Sequence, residues 1–215
     1  MTQKNEQCPR RVVVGISGAT GVVLAARCLH VLGELGIERH AIISPAGKQT
    51  ILYEAPNFNL ESNCDVLYSW RDIGAPISSG SFSVDSMIVV PCSARTLASI
   101  ASGGGDNLLS RAADVTLKER RRLVLGFRET PLHQGHIRAM RDVTEMGAIV
   151  CPPLPPFYLR PKSISDMINR MTEKLLSCAG IDVPGAPYWH GSKNRKESRL
   201  IDSYSDVGDP TESFS

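Results

Sequence analysis

Arg11-Val-Val-Val-Gly-Ile-Ser-Gly-Ala-Thr-Gly21 joins an unbroken apolar run to a glycine-rich turn. Val12, Val13 and Val14 are β-branched and follow one another without polar alternation. Such a run suits a strand covered on both faces, as in a parallel sheet. Gly15, Gly18 and Gly21 then punctuate a turn that carries two hydroxyls, Ser17 and Thr20. Beyond it Val22, Ala25, Ala26, Leu29 and Leu32 recur at helical spacing. Strand, glycine turn and helix in that order aim unpaired backbone N–H groups and the positive end of a helix dipole at one spot, where a phosphate can sit. The plainer reading of the same turn is close packing of a helix on a strand.

The dinucleotide fingerprint fits incompletely. Gly-x-Gly-x-x-Gly ending at Gly21 requires glycine where Ile16 stands. It also calls for an acidic residue about 20 positions on, to hold a ribose hydroxyl. The second strand instead reads Ala41-Ile42-Ile43-Ser44 and ends in serine. The sequence therefore favours a mononucleotide such as FMN over NAD.

The 215 residues suit one domain with a single core. With 42% apolar and 21% charged residues the composition is that of a globular protein. A formal charge of +2 gives no reason to expect a nucleic-acid partner. No apolar run approaches the roughly 20 residues of a membrane span, so no membrane partner is expected. Residues 1–10 are polar, without the apolar core of a signal peptide. The six cysteines form no Cys-x-x-Cys and no Cys/His cluster, so no metal site is expected. They read as small core residues in a reducing, cytoplasmic setting, or a mitochondrial one if a targeting segment has been removed.

Strand-like runs fall at about 11–16, 40–44, 65–70, 86–91, 122–127 and 148–152. Helical patterns lie at 20–35, 45–54, 94–102, 107–120, 135–146 and 163–179. This alternation predicts an α/β protein: one open parallel sheet with helices on both faces, flavodoxin-like or Rossmann-like. Ligands of such sheets lie at the carboxyl ends of the strands. Ser44 and Ser93 stand at those ends, each suited to cap the helix that follows. Arg111, Asp114 and Lys118 are three and four residues apart and share a helix face. They are either a solvated salt-bridged face or a cationic clamp. Glu119 to Arg122 reads as a solvated helix end. Arg128-Glu129 closes the fifth strand, and His133 and His136 read as positioning or surface residues. Pro152-Pro-Leu-Pro-Pro156 makes a stiff arm that fixes where Tyr158 points. The last helix carries Ile164, Met167, Ile168, Met171 and Leu175 on its apolar face, with Lys174 at its edge. The domain is expected to span 1–183, with Tyr188-Trp189 able to dock and the rest of 184–215 a polar, partly disordered tail.

Taken together, Gly15-Ile-Ser-Gly-Ala-Thr-Gly21, Ile77-Ser-Ser-Gly-Ser-Phe82, Pro91-Cys-Ser93, Arg111-Ala-Ala-Asp-Val115, Leu117-Lys-Glu-Arg120, Arg128-Glu-Thr-Pro131 and Pro155-Pro-Phe-Tyr158 resemble the UbiX-type flavin prenyltransferases over about residues 11–181. The resemblance implies an FMN-binding enzyme that moves a dimethylallyl group from dimethylallyl monophosphate to N5 and C6 of reduced FMN, without a metal. It further implies delivery of the prenylated FMN to a UbiD-type decarboxylase, and a homododecamer whose sites draw on neighbouring subunits. By matching position, Gly18, Ala19, Thr20, Ser44, Ser93, Ala94, Arg95, Thr96 and Arg128 are implied as FMN contacts. Arg111, Lys118, Glu129, Tyr158 and Lys174 are implied around the substrate phosphate, with Ser79 and Gly80 nearby. Catalytic roles are implied for Glu129, as proton donor to the departing phosphate, for Glu54, and for Thr20.

Some positions depart from that pattern. Thr20 stands where serine is common, and Lys174 replaces an arginine, a point charge for a bidentate fork. Ile73 falls where some members have an aromatic residue, and Phe127 is variable ground. Two other readings compete: a flavin-dependent decarboxylase of the peptidyl- or pantothenoyl-cysteine type, whose Pro-x-Met-Asn signature is absent, and a non-catalytic FMN-binding regulatory subunit. Glu54, Arg111, Lys118 and Glu129 weigh against the second, since a binder has no need of another phosphate site.

Overall fold

The computed structural model describes residues 10–186. Cys8, Tyr188, Trp189 and the tail from residue 187 onward lie outside the described residues. Six strands, β1 (Arg11–Ile16), β2 (Glu38–Ile43), β3 (Val66–Tyr68), β4 (Ser86–Cys92), β5 (Arg122–Phe127) and β6 (Ile149–Val150), form one sheet. The helices between and after them are α1 (Val22–Glu34), α2 (Pro45–Glu54), α3 (Ala94–Ala101), α4 (Leu108–Lys118), α5 (Gln134–Glu145) and α6 (Ile164–Cys178). Every expected strand and helix is present. β6 is shorter than expected because the proline run from Pro152 removes the amide donors a ladder needs.

The strand order is β3-β2-β1-β4-β5-β6, all parallel. This is the doubly wound Rossmann-like order, and without the three-residue edge strand β3 the remaining five follow the flavodoxin-like order. The topological switch point lies between β1 and β4.

Alternate side chains supply the two sides of the core. Val12, Val14, Ile16, Ala41, Ile43, Ile88, Val90 and Val124 pack under α1 and α6. Val13, Ile42, Met87, Val89, Leu123, Leu125 and Phe127 pack under α3, α4 and α5. Burial on both faces explains the unbroken apolar runs of the sequence. On α6, Leu175 is buried and Ile168 and Met171 meet the core, but Ile164, expected on the apolar face, is 72% exposed in the first turn. Among the described residues no helix is long and apolar enough to cross a membrane.

Candidate active site

At the carboxyl ends of β1, β2, β4 and β5 a cavity of about 860 Å³ opens, lined among others by Gly18, Ser44, Trp70, Ser93–Thr96 and Glu129. Three helices begin at its wall. Ser44 caps α2 by accepting from the Gly47 N–H at 2.9 Å. Ser93 caps α3, accepting from the Thr96 N–H at 3.3 Å and donating to the Thr96 Oγ1 at 3.1 Å. Asn107 caps α4, accepting from the Ser110 N–H at 3.1 Å. Three positive dipole ends thus converge on one concave space, which suits an anionic, mononucleotide-sized ligand. The backbone at Gly18 lies so close to the first turn of α2 that an added Cβ would collide with the Ala46 side chain. Close backbone approach of this kind requires glycine.

Ser17 joins the two strands that flank the switch point. Its side chain is 1% exposed. The hydroxyl donates to the Pro91 carbonyl at 2.9 Å and accepts from the Ser93 N–H at 2.8 Å. The glycine turn and the α3 terminus are thereby held in a fixed relation.

The N-terminus of α1 is already filled. Glu54 Oε2 accepts from the N–H groups of Gly21 and Val22 at 2.8 and 3.0 Å. The phosphate expected at that terminus is therefore displaced by a side-chain carboxylate, and the open anion seats are those of α2, α3 and α4. Thr20, one residue before Gly21 on this turn, is exposed.

The residues implied around the substrate phosphate fall into separate groups on the chain. Arg111 is aimed by two acceptors: Nη1 donates to Asp114 at 2.6 Å and Nε to the Ser78 carbonyl at 3.2 Å. Lys118 pairs with Glu119, which holds that carboxyl below the usual range. Gly80 rests on this pair, and a Cβ there would collide with the Glu119 carboxylate and come within 2.7 Å of Lys118 Nζ. Tyr158 and Lys174 line a second cavity of about 860 Å³ between the proline arm and α6, together with Leu154, Phe157 and Met171. Neither group lines the first cavity, although Glu129 does. Arg128 is exposed beside Glu129, and its backbone N–H donates to the Cys92 carbonyl at 3.1 Å.

The run expected to be a solvated helix end is not uniformly so. Arg121 is half-buried and donates to the carbonyls of Phe82 and Gly80. His133, exposed, caps α5 by accepting from the Gly135 N–H and stacks on His136 at 3.6 Å between ring centroids. Trp70, Asn107 and Ser110 line the first cavity without having been foreseen. The capping pattern Asn107-Leu108 was a signal for one of them; Trp70 offers none, since it lies just past β3 and its carbonyl accepts from the distant Leu108 N–H at 3.0 Å. Burial pushes the thiols of Cys28 and Cys92 up to about 12, which leaves them as core residues rather than nucleophiles.

Strand order and converging termini together define a mononucleotide-binding protein of the doubly wound class. The model of the Flavoprotein family matches residues 1–167. A flavin prenyltransferase UbiX of Thauera aromatica is 45% identical over 188 residues, covering 86% of this chain and 97% of its own. The crystal structure of AnUbiX (PadA1) in complex with FMN and dimethylallyl pyrophosphate superposes with a TM-score of 0.83 at 44% identity, over 86% of this chain and 99% of that one. A dodecameric FMN-dependent UbiX-like decarboxylase from Escherichia coli O157:H7 gives 0.80 at 40% identity, over 84% and 100%. The chain belongs to the flavoprotein family and, within it, to the UbiX-type flavin prenyltransferases.

Proposed function

We propose that the chain transfers a dimethylallyl group from dimethylallyl monophosphate to N5 and C6 of reduced FMN, yielding prenylated FMN and inorganic phosphate. The observation that carries this reading is the cavity at the switch point, where a glycine turn, three capped helix termini and the Glu129 carboxyl meet. Reduced flavin, when bound there, supplies the electron-rich nitrogen and carbon that accept the allyl group. Gly18, Ala19, Thr20, Ser44, Ser93, Ala94, Arg95, Thr96 and Arg128 would hold it, the phosphate taking the N–H groups of the helix termini.

Ionisation of an allylic phosphate leaves a dianion, and preorganised cations lower the barrier by meeting the charge as it develops. Arg111, Lys118 and Lys174 supply those cations, with Ser79, Gly80 and Tyr158 as hydrogen-bonding neighbours. Glu129 donates a proton to the departing phosphate oxygen. Because the cations lie in groups apart on one protomer, we assign the complete grip to an assembly, a homododecamer like that of the Escherichia coli neighbour. We assign residues 1–183 as the catalytic domain with 184–215 appended, and a UbiD-type decarboxylase as recipient of the product. A cytoplasmic location accords with the five free cysteines among the described residues.

The test is anaerobic incubation with dimethylallyl monophosphate and FMN in its two redox states. Inorganic phosphate released in step with reduced FMN, and not with oxidised FMN, supports the reading. No release, or release without flavin, overturns it.

A further inference from the structure

The loop 78–82 is fixed to α4 and to the turn after it by arginine donors to backbone carbonyls, Arg111 dividing its guanidinium between the loop and Asp114. Arg111 Nε reaches the Ser78 carbonyl at 3.2 Å, and the Arg121 guanidinium spans two more, Phe82 at 3.0 Å through Nη1 and Gly80 at 2.8 Å through Nη2. The sequence directs Arg121 there through a helix stop. Arg120 adopts φ 57°, and the N–H of Arg121 returns to the Thr116 carbonyl at 2.9 Å while that of Arg120 returns to Leu117 at 3.0 Å. This is a Schellman-type ending with a non-glycine residue in the left-handed position, a conformation that costs about 1 kcal/mol or more. That cost is met where the turn places a planar, two-pronged donor against the loop.

The two ends of the loop are secured independently. Ser78 and Ser79 N–H groups return to Ala75 and Pro76, and the Phe82 ring lies edge-on to His40 at 5.4 Å with Arg11 over it at 5.0 Å. The middle, Gly80, is held by Arg121 and by its seat against Lys118 and Glu119, while Phe82 has its ring contacts besides its bond from Arg121.

We infer that Arg121 is a positioning residue for the substrate-phosphate site: it holds the Ser79-Gly80 backbone in register with Arg111 and Lys118 without touching substrate. The inference rests on the transfer reading given above. An Arg121→Lys variant keeps the charge but cannot bridge two carbonyls in one plane. Loss of a charge-assisted bond to a site backbone should raise the KM for dimethylallyl monophosphate roughly tenfold, with kcat and the FMN Kd unchanged, because Arg121 does not line the flavin cavity. Hydrogen exchange of the amides in 79–82 should quicken while the core strands keep their protection. Gly80→Ala, which forces the same backbone away from Glu119 and Lys118, should give the same KM defect. An unchanged KM in Arg121→Lys overturns the inference, as does a KM defect accompanied by an equal loss of FMN affinity. Absence of turnover in the parent protein removes the transfer reading and this assignment with it; normal turnover in both parent and variant removes this assignment alone.

Discussion

Removing the Ser17 hydroxyl tests whether one buried side chain sets the geometry of the flavin cavity. In Ser17→Ala the Pro91 carbonyl keeps a partner, since the Ser17 backbone N–H also donates to it at 3.1 Å. The Ser93 N–H does not: its acceptor at 2.8 Å is the lost hydroxyl. One orphaned N–H beside a helix cap costs about 1–3 kcal/mol. For a domain of this size that lowers Tm by roughly 2–12 °C. The Gly18–Thr20 turn and the α3 terminus would then move independently, and a loss of about 1.4 kcal/mol in flavin binding weakens the FMN Kd about tenfold. Thermal unfolding of the flavin-free protein reads the first effect, and FMN titration followed by flavin fluorescence reads the second. Ser17→Thr, which retains the hydroxyl, should recover flavin binding. Unaltered Tm and Kd in Ser17→Ala would mean that the hydroxyl sets neither stability nor the site. A lower Tm with unaltered Kd would show that the hydroxyl holds the fold and does not align the site.

Three further outcomes are expected. Gly18→Ala should lose FMN affinity while remaining folded, and Ala46→Gly in the same chain should restore it, because the two β-carbons collide; binding assays on the single and double variants decide this. Glu129→Gln should slow phosphate release with FMN still bound, as Glu129 lines the cavity rim and its carboxylate accepts only the neighbouring Thr130 N–H among the described contacts; loss of FMN binding would make it structural instead. His40 is 2% exposed between Tyr68 and Glu38, and burial lowers its pKa below the ordinary 6.5 despite the Glu38 carboxylate. A base with a depressed folded pKa takes up its proton more readily when unfolded, so stability is full above about pH 6.5 and falls as pH drops through the folded value. His40→Gln should flatten that acid limb in denaturant titrations, and an unchanged slope would contradict the assignment.

Much of the fold was legible because local signals agreed with one another. Unbroken β-branched runs marked strands covered on both faces, and Ser44 and Ser93 marked helix starts that the structure realises as caps. The edge position of β3, and the bond from the Leu108 N–H to the Trp70 carbonyl just beyond it, join distant segments, which no local pattern reports. The site was legible in its parts and less so in their arrangement. Glu54 is separated from Gly21 by more than thirty residues, so its place at the α1 terminus follows only from packing. Arg121 looked solvated since a run of charges usually is, and only the left-handed turn at Arg120 sends it inward. The gap between Arg111 and Lys118 on one side and Tyr158 and Lys174 on the other is likewise a property of the folded surface.

Joining an allyl group to a flavin changes the mass of the flavin itself. The most direct measurement is the mass of the flavin recovered after anaerobic incubation with reduced FMN and dimethylallyl monophosphate. The expected result is a gain of one prenyl unit on the ring; recovery of unmodified FMN from protein that binds it tightly would rule out transfer by this chain.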